Sequence, residues 1–400
     1  MSVRIPSRSA SRPGQARVAA GHGERLLFID NLRWTMILLV ISMHSADTYS
    51  PFGNWYYTDR RPLSRAALLG FAAWQMYLQS FFMGLLFFVA GFFVPASFER
   101  KGPARFLRDR GYRLGLPVLF YMLVLGPITE YFFSHSWNST EPTSFLHEWI
   151  KHIRNGEFLG ENGPLWFCLA LLIFSAVYTI WRAWRSNPPP FPLEEHAHDT
   201  PLLVGFALTL AAFTFATRLV LPSGTSLLNM HLSDFPQYIL LFAAGITMAR
   251  TRWLRTIPLG SGLFSLLAAL TIGLAAWFCL LQSGGAFAGN GRAFSGGWHW
   301  QNAAFALWEA ASCTATSYGL LAVFHHKFGG QGGLARFLSA NAFSVYVFHP
   351  PIVIACARLL HPLEWPSPLM FLMLTTLSAV ASFVLSALVF RRIPFLRKIL

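Results

Sequence analysis

Long apolar runs separated by short polar segments dominate the chain. A helix needs about 20 mostly apolar residues to span a bilayer, and ten runs approach or meet that length. The shortest, 236–249, does so only with its flanking residues. The runs lie near 27–49, 68–94, 112–133, 164–184, 201–221, 236–249, 259–282, 302–324, 338–360 and 367–390. This pattern predicts an all-α membrane protein, a polytopic bundle of about ten transmembrane helices.

The composition supports a surface that faces lipid. The chain is 54% hydrophobic and 12% charged, whereas soluble domains carry about 45–50% apolar and about 25% charged residues. A net charge of +14 would also fit nucleic-acid binding, but the Arg residues cluster between apolar runs. We therefore expect a lipid bilayer, and no nucleic acid, as a partner. The four cysteines lie singly within apolar runs, which predicts neither a disulfide framework nor a metal site.

The distribution of Lys and Arg predicts the orientation. If the amino terminus is cytoplasmic, 22 of the 31 Lys and Arg residues lie on the inner side, 8 lie outside, and Arg33 lies within the first span. Both termini are therefore expected in the cytoplasm. We predict a disordered basic tail over 1–25, a transmembrane domain over 26–392 and a short basic tail over 393–400.

The first predicted helix contains three ionisable residues, Asp30, Arg33 and His44. Such groups are unfavourable inside lipid and usually have a function there. Arg33 and His44 are eleven residues apart, which places them on one face, about 16 Å apart along the axis. Asp30, one turn before Arg33, can hold its guanidinium. Alone, Arg33 could extend to lipid headgroups and His44 could bond a neighbouring helix, but the shared face favours a functional pair.

This geometry fits a long, thin acyl donor. An Arg at the cytoplasmic mouth can bind phosphate with its planar guanidinium, and a deeper His can reach the thioester at the far end of coenzyme A. We therefore expect acyl-CoA as a co-substrate, with no permanently bound cofactor. His44 would act as general base. A route through an acyl-His intermediate stays open.

Two further ionisable side chains lie within predicted helices. Glu309 could orient His44, bind an acceptor hydroxyl, or remain a protonated group in the core. His349 precedes Pro350 and Pro351, which remove backbone donors and are expected to open the helix locally. His349 could bind substrate there or fill the gap as a hydrogen-bonding core residue.

Three segments resemble a known family. FIDNLRWTMILLVISMH, from Phe28 to His44, resembles the first helix of the acyltransferase-3 family of membrane acyltransferases, in which an Arg is followed by ten residues and a His. GPLWFCLALL, from Gly163, is similar to the start of a middle helix of that family. SVYVFHPPIV, from Ser344, is similar to a late helix with a Tyr and a His-Pro.

A fourth segment, FFVAGFFVPASFERKGPARFLRDRGYRLGLP, resembles the family's second helix and the basic loop after it. That loop carries an Arg-x-x-Arg pair before a Pro. Arg110 and Arg113 fit this pair, and Arg105 and Arg108 repeat the spacing one step earlier.

The resemblance implies about ten helices, an acyl-CoA donor, usually acetyl-CoA, on the cytoplasmic side, and a sugar or cell-envelope glycan as acceptor. We expect a multi-pass protein of a bacterial inner membrane. The expected catalytic residues are His44, Glu309 and His349, and the expected acyl-CoA-binding residues are Arg33, Asp30, Arg110 and Arg113.

Three alternative functions compete with this hypothesis. The other large class of membrane-bound O-acyltransferases also uses an intramembrane His, but the Arg33/His44 spacing in the first helix argues against it. A transporter or flippase of a small solute or glycan would explain the helices and the buried charges. It would not explain why a basic cluster and a deep His share one face. A structural scaffold would have little reason to bury these charges.

Overall fold

The computed structural model describes residues 26–53, 55–133, 144–160, 162–185 and 200–399. The predicted basic tail over 1–25 therefore lies outside the described residues, as does residue 400 of the second predicted tail.

A helix occupies each of the ten predicted positions. In chain order the helices are α1 (Leu27–Tyr49), α2 (Arg65–Lys101), α3 (Pro103–Phe133), α4 (Trp166–Trp184), α5 (Thr200–Arg218), α6 (Phe235–Met248), α7 (Leu259–Ala288), α8 (Trp300–Lys327), α9 (Gly333–Leu360) and α10 (Ser367–Leu388).

Within the described part of the chain, eight of these helices are long and apolar enough to cross a membrane. This confirms the all-α membrane architecture. The two others are α6, which has only 14 residues, and α8, which has 28 residues but includes polar ones such as Gln301, Asn302 and Glu309. The total of ten membrane spans stays a prediction.

The remaining regular elements are short and lie between or after the long helices. They are the helices Phe145–Arg154, Trp253–Thr256, Arg292–Ser295 and Pro394–Ile399, and the antiparallel strands β1 (Ser226–Leu227) and β2 (Met230–His231). The strands form a hairpin in which Ser226 pairs with His231.

The basic segment after α2 is helical, so the prediction of a loop was wrong. Gly102 alone separates α2 from α3. Its φ of +74° is a conformation that residues with a Cβ rarely adopt. Pro103 then occupies the first turn of α3, where its missing N–H is not needed. Arg110 and Arg113 therefore lie on α3 itself.

Helices α2 and α6 cross with their backbones in close contact. A Cβ placed on Gly91 would lie 2.2 Å from the carbonyl oxygen of Phe242, and one on Gly245 would lie 2.1 Å from that of Phe88. Small residues permit such an approach between membrane helices. The two glycines therefore set the α2–α6 distance.

Burial differs strongly among the helices. In its most apolar stretch, α9 is 72% buried, whereas α5 is 22% and α7 is 11% buried. Helix α1 packs against α2, α8, α9 and α10. Polar side chains on α1 and α9 can therefore meet inside the protein, while α5 and α7 present most of their surface to lipid.

Candidate functional site

The site begins at the C-terminal end of α1, where His44 and Asp47 lie one turn apart. The Nδ1 of His44 is 3.1 Å from the Oδ2 of Asp47. A carboxylate can only accept, so the proton of the neutral imidazole is on Nδ1 and the lone pair is on Nε2. The His44 side chain is 20% exposed and the Asp47 side chain 6%. The imidazole is thus reachable, while its carboxylate partner is buried.

Asp47 is held in place by a side chain of α2 and by the loop after α1. The Nε2 of Gln75 donates to the Oδ1 of Asp47 at 2.6 Å and also to the carbonyl oxygen of Phe52. The hydroxyl of Ser50 donates to the Oε1 of Gln75 at 2.7 Å, which fixes the orientation of the amide. Gly53, with a φ of +96°, lies so close that a Cβ would be 2.3 Å from Asp47 Oδ1. These contacts restrict the carboxylate of Asp47 to one orientation.

Two aromatic rings lie nearly parallel to the imidazole of His44. The indole of Trp55 stacks on His44 with a centroid distance of 3.8 Å and an angle of 13°. The imidazole of His349 lies 5.3 Å from that of His44 at 15°. Residues from α1, from the loop after it and from α9 thus converge on one place.

Pro350, directly after His349, sets the tautomer of that histidine. Helix α9 continues through Pro350 and Pro351, so the expected local opening was wrong. Pro350 has no N–H to give to the carbonyl of Tyr346, four residues earlier. The Nδ1 of His349 donates to that carbonyl instead, at 2.8 Å. In the neutral ring the lone pair is then on Nε2.

Two polar atoms beside His44 are buried and have no hydrogen-bond partner among the described residues. They are the Nε2 of His349, whose residue is 0% exposed, and the Nε1 of Trp55. Buried polar groups are nearly always paired, and exceptions often mark a functional role. A ligand bound against His44 could satisfy both.

The arrangement is that of a general base with an orienting carboxylate. Asp47 fixes the ring of His44 and stabilises the imidazolium that forms when Nε2 takes a proton. The indole N–H of Trp55 offers a donor to a neighbouring oxygen. Together they can activate a hydroxyl for attack on an acyl group.

The predicted donor-binding residues gather at the other end of α1. Arg33 is 59% exposed, with its Nη1 4.0 Å from the Oδ1 of Asp30. The guanidinium of Arg110 interacts electrostatically with those of Arg33 and Arg113 and lies 5.2 Å from the ring centroid of Phe106. Arg113 is exposed. A group of guanidinium side chains at one end of α1 suits a phosphate site.

Comparison with known families gives a match that covers nearly the whole chain. The sequence model of the family Acyl_transf_3, described as an acyltransferase domain, covers residues 26–391. The chain belongs to the acyltransferase-3 family. It is therefore a multi-pass membrane acyltransferase. Searches of curated proteins and of solved structures find no match.

In this acyltransferase, Glu309 does not contact His44. Its Oε2 accepts from the Nη1 of Arg218 at 2.5 Å, and Asp47 is the carboxylate that orients His44. The suggested orienting role of Glu309 is therefore corrected. Arg218 is the last residue of α5 and is 2% exposed.

A group of polar contacts outside the predicted spans holds the loop that carries Trp55 against the end of α9. Arg61 donates to both carboxylate oxygens of Asp59, at 3.2 and 2.8 Å, and to the backbone oxygens of His361 and Leu363 beyond α9. The Nδ1 of His361 is 3.1 Å from Asp59 Oδ2. We call these four residues the loop clasp.

The electrostatics of the loop clasp favour a charged Asp59. Burial alone raises the pKa of Asp59, but the hydrogen bonds and charges of Arg61 and His361 outweigh it, so that the pKa is lowered. The Asp59 hydrogen bond in turn raises the pKa of Arg61. The pair therefore stays ionised at neutral pH.

The sequence analysis missed Asp47, Gln75 and Trp55 as site residues. A signal for Asp47 existed, because a carboxylate three residues after a His on a helix lies on the same face. Gln75 lies inside the second apolar run, where an amide side chain usually forms hydrogen bonds between helices and does not by itself indicate a site. Trp55 lies in a loop, where no periodicity indicates its direction.

Proposed function

We propose that this membrane acyltransferase moves an acyl group, by family resemblance an acetyl group, from acyl-CoA to a hydroxyl of a carbohydrate or other cell-envelope acceptor. The expected place is the inner membrane of a bacterium. The observation that carries the proposal is the His44–Asp47 pair, with a 3.1 Å contact on Nδ1 and a reachable imidazole.

The proposed reaction balances without a metal or a second cofactor. The Nε2 of His44 takes the proton of the acceptor hydroxyl, whose oxygen forms a bond to the thioester carbonyl carbon. The carbon–sulfur bond then breaks, and coenzyme A leaves as a thiolate that takes the proton back from His44. The Trp55 N–H is suited to stabilise the charge on the carbonyl oxygen during the attack.

The donor would lie along α1. Phosphates of coenzyme A would bind at Arg33, Arg110 and Arg113, and the pantetheine arm would carry the thioester toward His44. The eleven-residue separation of Arg33 and His44 corresponds to about 16 Å along the helix axis. This length supports a thin, extended donor.

The test uses membranes from the source cell, which contain the native acceptor, and acyl-CoA labelled in its acyl group. His44→Ala should lower acyl transfer to envelope material by at least about 100-fold, because the general base is lost. The control is His147→Ala, since His147 is exposed in the short helix Phe145–Arg154. Full transfer by His44→Ala would overturn the proposal.

The donor site is tested separately with Arg33→Ala. Loss of a phosphate contact should raise the KM for acyl-CoA by about tenfold or more while kcat changes little. Arg336→Ala, which removes an exposed Arg of α9, is the matched control. An unchanged KM in Arg33→Ala would count against the phosphate role.

A further inference from the structure

Four polar side chains form a second buried cluster near the first. Arg218 of α5 donates from Nη1 to Glu309 of α8 at 2.5 Å and from Nη2 to Asp234 at 3.2 Å. The Nε2 of Gln79 donates to the other oxygen of Asp234 at 3.2 Å. We call Arg218, Asp234, Glu309 and Gln79 the Arg218 cluster.

The Arg218 cluster has both a donor and an excess of acceptors to offer a ligand. Arg218 is 2% exposed, and its Nε has no hydrogen-bond partner among the described residues. One guanidinium faces two carboxyl groups, so acidic groups outnumber the basic group in the cluster. A hydroxyl group, which donates one hydrogen bond and accepts up to two, matches this combination.

A small cavity lies at this cluster. It is lined by Arg218, Asp234, Glu309, Gln79 and Thr214, among others, and has about 20 Å³ of room. That is enough for one water-sized oxygen. The side chains of Asp234 and Glu309 are each 17% exposed, so the cavity is reachable from outside.

Helix α2 connects this cavity with the His44 site. Gln75 holds Asp47, and Gln79, four residues later, holds Asp234. Residues four apart lie on nearly the same side of a helix, about 6 Å apart along its axis. The two clusters therefore contact adjacent turns on nearly the same side of α2, an arrangement that suits one acceptor with several hydroxyl groups.

We propose that the Arg218 cluster is an acceptor subsite, which binds one non-reacting hydroxyl of a polyhydroxylated acceptor while another hydroxyl meets His44. The subsite rests on the proposed acyl transfer and narrows the acceptor to a molecule with at least two hydroxyl groups. The bound hydroxyl donates its one hydrogen bond to a carboxylate oxygen of Glu309 or Asp234, and the Arg218 Nε–H donates to it.

The experiment separates transfer from hydrolysis. Source-cell membranes receive acyl-labelled acyl-CoA, and label in envelope material and label released as free acid are measured together. In Glu309→Gln and Asp234→Asn, transfer should fall about 10- to 100-fold through loss of a charged hydrogen bond. Hydrolysis and the KM for acyl-CoA should stay unchanged, because the His44 and Arg33 sites are intact.

One control and one additional test variant keep the outcome clear. Glu148→Gln removes a carboxylate from the short helix Phe145–Arg154 and should change neither product. Thr214→Val alters the cavity wall without touching the ion pairs and should lower the transfer-to-hydrolysis ratio even if the charge variants fail to fold.

Each of the other possible results would contradict either the subsite or the proposed function. An unchanged ratio in folded variants, as expected if the cavity holds only a structural water, would overturn the subsite. So would a parallel loss of transfer and hydrolysis. Wild-type membranes that release neither label nor coenzyme A would instead refute the proposed function, and the subsite with it.

Discussion

Single side chains at the end of α1 decide the chemistry of His44. Asp47 fixes the proton on Nδ1, and Gln75, itself oriented by Ser50, fixes Asp47. Each contact in this series, from His44 to Asp47, Gln75 and Ser50, is a hydrogen bond no longer than 3.1 Å. The reactivity of one imidazole thus depends on residues that never touch the substrate.

Gln75→Ala should lower kcat for acyl transfer by about tenfold with an unchanged KM for acyl-CoA. It removes one hydrogen bond to a charged group, and that bond positions Asp47. Gln282→Ala, which changes an exposed glutamine of α7, is the control. Because the role is positional, the pH profile of kcat should change too, and an unchanged profile with full activity would contradict it.

Sequence reasoning at this scale selected His44, His349 and the basic group around Arg33 as candidates, because ionisable residues within apolar runs are conspicuous. It did not select Asp47, which lies close to the end of the run. One of its alternatives for Glu309, that it orients His44, was wrong, because α8 directs Glu309 toward Arg218. Which helices face each other cannot be deduced from one sequence.

At the scale of the helices, Pro350 of α9 affects the site, and the glycines between α2 and α6 affect the packing of the bundle. Long apolar runs predicted the positions of all ten helices. It could not predict that α2 and α3 meet at Gly102, because the polar surface of that segment looks like a loop while its residues are good helix formers. It also could not show that Pro350 leaves α9 continuous.

Pro350→Ala should raise the melting temperature in detergent and lower acyl transfer several-fold. Proline is unfavourable in a helix interior by about 3 kcal/mol, and the restored N–H would compete with His349 for the Tyr346 carbonyl. Pro351→Ala, which restores a backbone N–H that donates to the carbonyl of Val347 and not to that of Tyr346, should keep full activity. Equal activity in both variants would refute the link between Pro350 and the tautomer of His349.

Gly91→Ala should lower the melting temperature, since the new methyl group would meet the Phe242 carbonyl at 2.2 Å and force α2 from α6. Overpacking of this kind is unfavourable by about 1–3 kcal/mol. The control is Gly70→Ala on the same helix, where a Cβ meets nothing within 4 Å and helix propensity should slightly stabilise the protein. Similar stability of the two variants would contradict the close-crossing account.

At the scale of the whole molecule, the bundle places a basic donor end and an imidazole site at opposite ends of α1. The loop clasp joins the Trp55 loop to the turn after α9, and α9 carries His349. The clasp therefore holds together two parts of the site that are about 300 residues apart in sequence.

Asp59→Asn tests the loop clasp. The folded-state pKa of Asp59 is lowered, so its stabilisation is present above the unfolded-state pKa of about 3.9 and is lost as pH falls through the folded value. The variant should melt several degrees below wild type at pH 7. That gap should narrow as pH falls from about 5 toward 3. Glu364→Gln, an exposed neighbour, should show no gap, and a pH-independent gap for Asp59→Asn would contradict the charge-based account.

The central claim, that His44 and Asp47 act as one catalytic unit, is tested most directly by a double-mutant cycle on kcat for transfer from acyl-CoA. We predict that Asp47→Asn alone lowers kcat by about 10²- to 10⁴-fold. The double variant His44→Ala/Asp47→Asn should have the same kcat as His44→Ala alone, because the effects of residues that act as a unit are not additive. Losses that multiply, or an Asp47→Asn variant with wild-type kcat, would contradict the account.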